Sequence, residues 1–328
     1  AIQTTYSFDP RFYSSYVRPR LNSRNCDLPL VFIDGGKYES NITEPEWQEA
    51  PIGTDYILEP VNSNGVFHPK VNLFASERSV FFSVSSANLS IEEYCKAAQI
   101  GQMAGFQKHW LTSDEREPGR EVDEAYYLSR EIRDFFENLV DRDGFITGQD
   151  AANYTQEMVE TLGWLEEVGG EVETPVEDRS TVFLSSLSES ILSQVLERVG
   201  EVETARLYAP FYGTPNVLGD IAHSLDPDSL ELIVESESTA LETDGLEESL
   251  EHDFAVRKMV HGSSRWVHSK FLVLDGDWGS ACLYGSPNMT GSALLKSSSA
   301  GNVESALLTV ESPSEGGALN ESVFGSQE

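Results

Sequence analysis

The sequence predicts an α/β fold of two pseudo-repeated α-β-α sandwich halves whose repeated motifs meet in one site at their interface. Three observations carry this. Apolar strand-like runs alternate with helix-like segments, the pattern of a layered α/β sheet. The 328 residues suffice for two ordinary domains, each with its own core. Laid on itself with a shift of about 200 residues, the chain matches: His68, Lys70, Ser86 and Asn88 fall on His268, Lys270, Ser286 and Asn288.

The elements follow in order. In the same alignment Pro10 of "SFDPRF" falls on Pro210 of "LYAPFYG", and Ile33 of "LVFIDGG" on Ile233 of "LELIVES". Each half then reads as a strand ending near an aromatic and a proline, a helix ("RFYSSYVRPRL" and "TPNVLGDIAHSL"), a second strand, a His-x-Lys strand, and a strand leading into a Ser-x-Asn turn. Between the halves, Leu128, Ile132, Phe135, Phe136 and Leu139 recur at the spacing of a core-facing amphipathic helix. Another helix is expected over "NYTQEMVETLGWLEEV", followed by "GGEVETPVEDRS", with the glycine, proline and acid content of a linker. The boundary is placed near residue 175: residues 1–175 form the first half with its helical extension, residues 176–328 the second.

Charge sets the class of surface. Fifty-five acidic residues against 22 basic ones, seven of them lysines, give a net charge of −33. The apolar content is too high for a disordered chain. Acidity spread along the whole length reads as adaptation to concentrated salt, hence a halophilic and archaeal source: near 1 M ionic strength the screening length falls to roughly 3 Å. The basic patch of a typical nucleic-acid binder is absent, so a phosphate ligand must be held by a few cations in a cleft. Cys26, Cys95 and Cys282 are odd in number and widely spaced, which indicates neither a disulfide framework nor zinc. No apolar run reaches a membrane span and no signal peptide opens the chain, so the reading is cytoplasmic. The Gly- and Ser-rich ending and missing initiator Met read as a processed chain that can have had further domains.

One His-x-Lys is expected by chance about one time in eight at this composition; two, each with Ser and Asn at matching offsets, are not. Residues i and i+2 of a strand share a face, so each histidine should emerge beside its lysine, with Asn88 or Asn288 reaching in from a neighbouring strand end. Two histidines, two lysines and two asparagines suit phosphodiester cleavage. Lysines and amides stabilise the phosphoryl oxygens, one neutral imidazole attacks phosphorus, and the other protonates the leaving oxygen and then activates water.

The residues "FHPK…SANLS" and "VHSKFLVLD…GSPNMT" resemble the paired motifs of the phospholipase D superfamily, His-x-Lys-x4-Asp followed by Gly-Ser-x-Asn. The second set matches throughout, at His268, Lys270, Asp275, Gly285, Ser286 and Asn288; in the first, Ala75 replaces the Asp and Ser85 the Gly. The missing Asp, the Gln99 that follows Asn88, and the openings "TTYSFDPRFY" and "LVFIDGG" resemble the tyrosyl-DNA phosphodiesterase branch. This resemblance implies a phospholipase D-like fold and metal-independent cleavage of a nucleic-acid phosphodiester, DNA foremost, without cofactor. It implies that His68 attacks, that His268 is acid and then base, and that Gln99 and Glu304 orient the histidines. Phospholipid hydrolysis or phosphatidyl transfer is the alternative, disfavoured by the missing Asp and the lack of a membrane-binding helix. A non-catalytic targeting module of a larger helicase or defence protein is another, disfavoured because a decayed module usually loses a His or Lys and both His-Lys pairs are present.

Other residues carry less. Asp275 either supports the site or ends its strand in the "DGDWG" turn. Phe67 and Trp266 flank the motifs and either stack on substrate or belong to the core. His109, His223, His252 and His261 lack repeat partners and read as surface or structural, as does Asn72. The charge analysis makes one prediction: the midpoint of thermal unfolding should rise steeply as KCl goes from about 0.1 to about 2 M, measured by circular dichroism, and a flat response would sink the halophilic reading.

Overall fold

The run Leu30–Asp34 is buried at every residue, as expected of a parallel strand covered on both faces. Leu30 and Phe32 point into one apolar cluster and Val31 and Ile33 into another, with the two-residue period of a strand. The computed structural model describes residues 1–112, 120–172, 175, 178–235, 239–250, 253–259 and 266–313. Its first half contains β1 (Ile2–Thr5), β2 (Leu30–Asp34), β3 (Ile57–Val61), β4 (Val71–Ala75), β5 (Ser79–Ser85), the two-residue β6 (Ala97–Ala98) and β7 (Gly101–Gln107). The second contains β8 (Thr181–Ser185), β9 (Thr204–Tyr208), β10 (Ser229–Val234), β11 (Asp253–Lys258), β12 (Trp266–Val267), β13 (Phe271–Gly276), β14 (Gly279–Gly285) and β15 (Ser305–Glu311).

The duplication is visible in the pairing. One sheet runs β3-β2-β1-β4-β5-β7 and the other β11-β10-β9-β13-β14-β15, with β8 added at its end. In each, three parallel strands are followed by antiparallel ones. The register corrects part of the sequence alignment. Leu73 faces Ile2 while Val273 faces Arg206, so the first strands are related by a shift of 204, not 200. The counterpart of Pro210 is therefore Tyr6 rather than Pro10. One strand over, Ile2 faces Leu30 and Arg206 faces Glu231, which makes Val234, not Ile233, the counterpart of Ile33. Linear alignment missed this because the loops between strands differ in length.

Helices cover the sheets. Asp9 caps the helical segment that begins at Pro10, its carboxylate accepting from the backbone of Arg11 and Phe12; its equivalent in the second half is the helix Pro215–Leu225. The helix Arg120–Val140 buries Leu128, Ile132, Phe135, Phe136 and Leu139. They share one cluster with Phe32 and Phe82 of the first sheet and with Phe183 and Leu307 of the second, so the core runs through the interface and neither half is a separate globule. The expected second helix is split into Gln149–Thr161 and Trp164–Val168. Among the described residues no helix is long and apolar enough to cross a membrane.

The segments carrying the motifs lie where the halves meet, and each pairs with the other half. Phe67 bridges to Val303, and the His68 N–H donates to the Val303 carbonyl. In the mirror arrangement β12 pairs with β6 and the His268 N–H donates to the Ala98 carbonyl. Gly65 leads into the first of these crossings so closely that a Cβ there would collide with the Gly301 carbonyl. Gly65→Ala should accordingly cost about 1–3 kcal/mol of stability in urea unfolding; an unchanged midpoint would show that the crossing yields freely.

Candidate active site

Both His-x-Lys segments precede their strands instead of lying within them: His68 to Lys70 end where β4 begins, and His268 to Lys270 where β13 begins. Their backbone is extended and bonded across the interface, which brings four side chains together. All are buried: His68 is 8% exposed, His268 9%, and each lysine 1%.

Each imidazole is held by a carboxylate, and for both the carboxylate comes from the opposite half. His68 Nδ1 lies 2.9 Å from Glu304 Oε2. Glu304 is fully buried; Ser286 Oγ donates to its Oε2, and Asn302 Nδ2 donates to its Oε1 at 2.9 Å. His268 Nδ1 lies 2.7 Å from Glu93 Oε2. The Gln99 amide donates to that same oxygen, and Ser86 Oγ donates to Gln99 Oε1 at 2.6 Å. An Nδ1–H given to a carboxylate leaves Nε2 as the working nitrogen. His68 Nε2 has no partner among the described residues, whereas His268 Nε2 lies 3.2 Å from Lys270 Nζ.

Among the described residues the lysines hold no carboxylate directly. Lys70 Nζ donates to the His68 carbonyl at 2.6 Å, and Lys270 Nζ to the His268 carbonyl at 3.1 Å. Burial, then the charge of Lys270, drives Lys70 well below the usual lysine range, although Glu304, Glu93 and Asp34 oppose this. Burial lowers Lys270 to about 8 against the pull of Glu93 and Glu304. His68 is lowered to about 4, chiefly by burial and then by Lys70, with Glu304 opposing. Burial also lowers His268. For Glu93 and Glu304 burial acts upward, but the histidine hydrogen bonds and nearby ammonium charges outweigh it and both stay below the ordinary carboxylate value. At neutral pH the site therefore holds neutral imidazoles beside anionic carboxylates, with two crowded lysines whose charged forms burial disfavours.

The two asparagines differ. Asn88 Oδ1 accepts from the backbone N–H groups of Tyr6 (3.2 Å) and Ser7 (3.3 Å), and its Nδ2 donates to Glu93 Oε1 at 3.1 Å. Asn288 Oδ1 is buried without a partner. Ser86 and Ser286 are fully buried behind the carboxylate-bearing strands, each accepting from the backbone N–H of Ile100 or Ser305.

The structure also places the remaining candidates. Phe67 is fully buried in the core shared by the halves and offers no face to a ligand. Trp266, by contrast, is 37% exposed with its ring 4.8 Å from that of His268. Asp275 stands at the far end of β13, bonded to Arg206 and to Ser280, so it braces the sheet and not the site. Gln99 reaches His268 mainly through Glu93, since its own contact to Nδ1 is 3.5 Å. Asn72 joins Gln3 and Ser83 in a structural network. His109 and His223 are exposed, and His252 and His261 lie outside the described residues.

Glu93 was missed by sequence reasoning for a local reason. Ser90 and Glu93 have the spacing of a helix capping box, and the Glu93 N–H does donate to Ser90 Oγ, so the carboxylate reads as a cap. Tyr6 was also missed; its ring meets His68 edge-on at 5.3 Å, with Lys37 Nζ 5.1 Å above it. Among the described residues no group of three or more His, Cys, Asp or Glu is placed to hold a metal ion.

The fold has solved counterparts. A crystal structure of yeast tyrosyl-DNA phosphodiesterase matches with a TM-score of 0.57 at 14% identity, over 94% of this chain and 83% of that one. Two of its histidine mutants match at TM-scores of 0.58 and 0.59, also at 14% identity and over 94% of this chain, covering 81% and 82% of theirs. The architecture is thus the duplicated α/β sandwich of these phospholipase D-like structures. No family model matches the chain, and no curated protein does.

The lysine environment makes a prediction about stability. Lys270, at about 8, sits below its ordinary 10.5, so below pH 8 its buried charge opposes folding, and between 8 and 10.5 the folded chain sheds that proton while the unfolded chain keeps it. Lys270→Met should raise stability at pH 7 by about 1–3 kcal/mol, with the gain shrinking toward pH 10 in urea titrations. A loss of stability at pH 7 would contradict this account.

Proposed function

We propose that the protein is a phosphodiesterase acting on nucleic acid, DNA foremost, through a covalent phosphohistidine and without a metal. The observation that supports it best is the pair of buried lysine amines, neither in an ion pair among the described residues, flanked by two imidazoles that are each backed by a carboxylate. A phosphodiester anion entering this site would give both lysines the partner they lack, and each would then favour its charged form.

The roles follow from the nitrogen environments. His68 is neutral at physiological pH with Nε2 open, so it is the nucleophile: its lone pair forms the P–N bond as the P–O bond to the leaving group breaks. Glu304 stabilises the imidazolium that results. Binding of the phosphodiester anion favours a second proton on His268, taken up from solvent at Nε2 while Glu93 holds its Nδ1–H, and His268 gives that proton to the departing oxygen. Glu93 supports the positive charge on His268. Water then attacks phosphorus, loses its proton to His268, and the P–N bond breaks to restore His68. Lys70, Lys270 and an asparagine amide hold the nonbridging oxygens, work that otherwise calls for a metal ion. Trp266 beside His268 and Tyr6 beside His68 offer aromatic faces to flanking bases.

The test uses labelled single-stranded DNA, 3′-tyrosyl DNA, RNA and phospholipid, incubated with the protein in 2 to 3 M KCl (roughly full screening of surface charge) and EDTA. Nucleic-acid turnover is expected, with His268→Ala accumulating a phosphohistidine adduct and His68→Ala forming none. Adduct formation by His68→Ala would reverse the two histidine roles. Turnover of lipid alone would replace the substrate class, and no turnover or adduct on any substrate would overturn the enzymatic reading.

A further inference from the structure

The two Ser-x-Asn turns are equivalent in sequence and in backbone, yet their asparagines stand in different surroundings. In both halves the turn lies against the segment that follows the first strand. Phe8 bridges to Leu89 and Tyr212 to Met289, and the Asp9 N–H donates to Leu89 as the Gly213 N–H does to Met289. The turn residues Leu89 and Met289 keep the shift of 200, while their partners are related by the shift of 204 found between β1 and β9. Under that shift the two donors to Asn88, the N–H groups of Tyr6 and Ser7, correspond to positions 210 and 211. Position 210 is Pro210, which has no N–H to give.

The consequences run through the side chains. Asn88 is 4% exposed and fixed in orientation: its oxygen takes two backbone N–H groups and one N–H of its nitrogen holds Glu93, which in turn holds His268. Asn288 is partly exposed, and its side-chain oxygen is buried without a partner. A buried amide oxygen without a donor is costly, and among the described residues nothing ties this side-chain amide to the backbone. It is free to turn toward a ligand, whereas Asn88 is not.

From this we infer that the asparagines have separate jobs: Asn288 is the amide that contacts the phosphoryl group, and Asn88 is a positioning residue that aligns Glu93 on His268. Pro210 contributes to the division, because it removes one of the two backbone donors that would otherwise hold Asn288, Phe211 being the other position. The inference rests on the phosphodiesterase reading for Asn288 alone; the role of Asn88 depends only on the chain's own contacts.

The test reads binding and titration, not turnover. Inorganic phosphate is titrated into the protein at high KCl while the histidine ring signals are followed by NMR, and the His268 titration is recorded without phosphate. Asn288→Ala should weaken phosphate binding by about tenfold (1.4 kcal/mol) and leave the His268 midpoint in place. Asn88→Asp retains an oxygen for Tyr6 and Ser7 but loses the donor to Glu93. It should move the His268 midpoint by about one pH unit and change phosphate binding less than Asn288→Ala does. Pro210→Ala, which restores an N–H, should weaken phosphate binding several-fold by locking Asn288. Equal effects of the two asparagine variants on phosphate, or an unmoved His268 midpoint in Asn88→Asp, would overturn the division. If the unaltered protein binds no phosphate, the reading of the site fails and the role of Asn288 with it, while the Asn88 titration still decides the positioning role.

Discussion

Everything at the site depends on one exchange: each motif segment finishes its backbone hydrogen bonding, and each histidine finds its carboxylate, in the other half of the chain. His68 is bonded to Val303 and Glu304, and His268 to Ala98 and Glu93. Neither half can orient its own imidazole. The shared cluster that joins Phe32 and Phe82 to Phe183 and Leu307 is therefore part of the machinery as well as of the core, because any slip between the sheets moves a histidine and its carboxylate in opposite directions.

The duplication is close in backbone and loose in side chains, and the looseness falls where chemistry can use it. Gln99 and Glu304 occupy equivalent places, since the Ser86 N–H donates to Ile100 and the Ser286 N–H to Ser305. The first half lacks a carboxylate at that place and supplies one from Glu93, on a helical turn with no acidic counterpart at Ala293. Both imidazoles thus have anionic support by different routes. Their surroundings are unlike: His68 Nε2 has no partner among the described residues, whereas Lys270 Nζ lies against both ring nitrogens of His268, and the proposed division into nucleophile and proton donor rests on that difference.

A net charge of −33 makes the small cationic centre more conspicuous. Burying two lysines without direct carboxylate partners costs stability that a phosphate ligand would restore. The fold carries that cost because the helix Arg120–Val140 and the sheets around it bury large aromatic side chains on both sides of the interface. Function and stability pull against each other at Lys70 and Lys270, as they do at Asn288.

The sequence by itself determined the duplicated α/β architecture, the amphipathic helix between the halves, and the two His-Lys pairs. These are periodic or repeated features, and periodicity survives in one dimension. It also singled out Glu304, through resemblance rather than through spacing. Only the tertiary structure decided that Glu93 serves His268, that Phe67 is core while Trp266 is not, that Asp275 answers to Arg206, and that Pro210 stands opposite Tyr6. Those facts depend on register and on contacts between residues up to 236 positions apart, where loops of unequal length have shifted the repeat. A linear spacing counts residues along the chain, whereas hydrogen bonds follow which strand lies beside which.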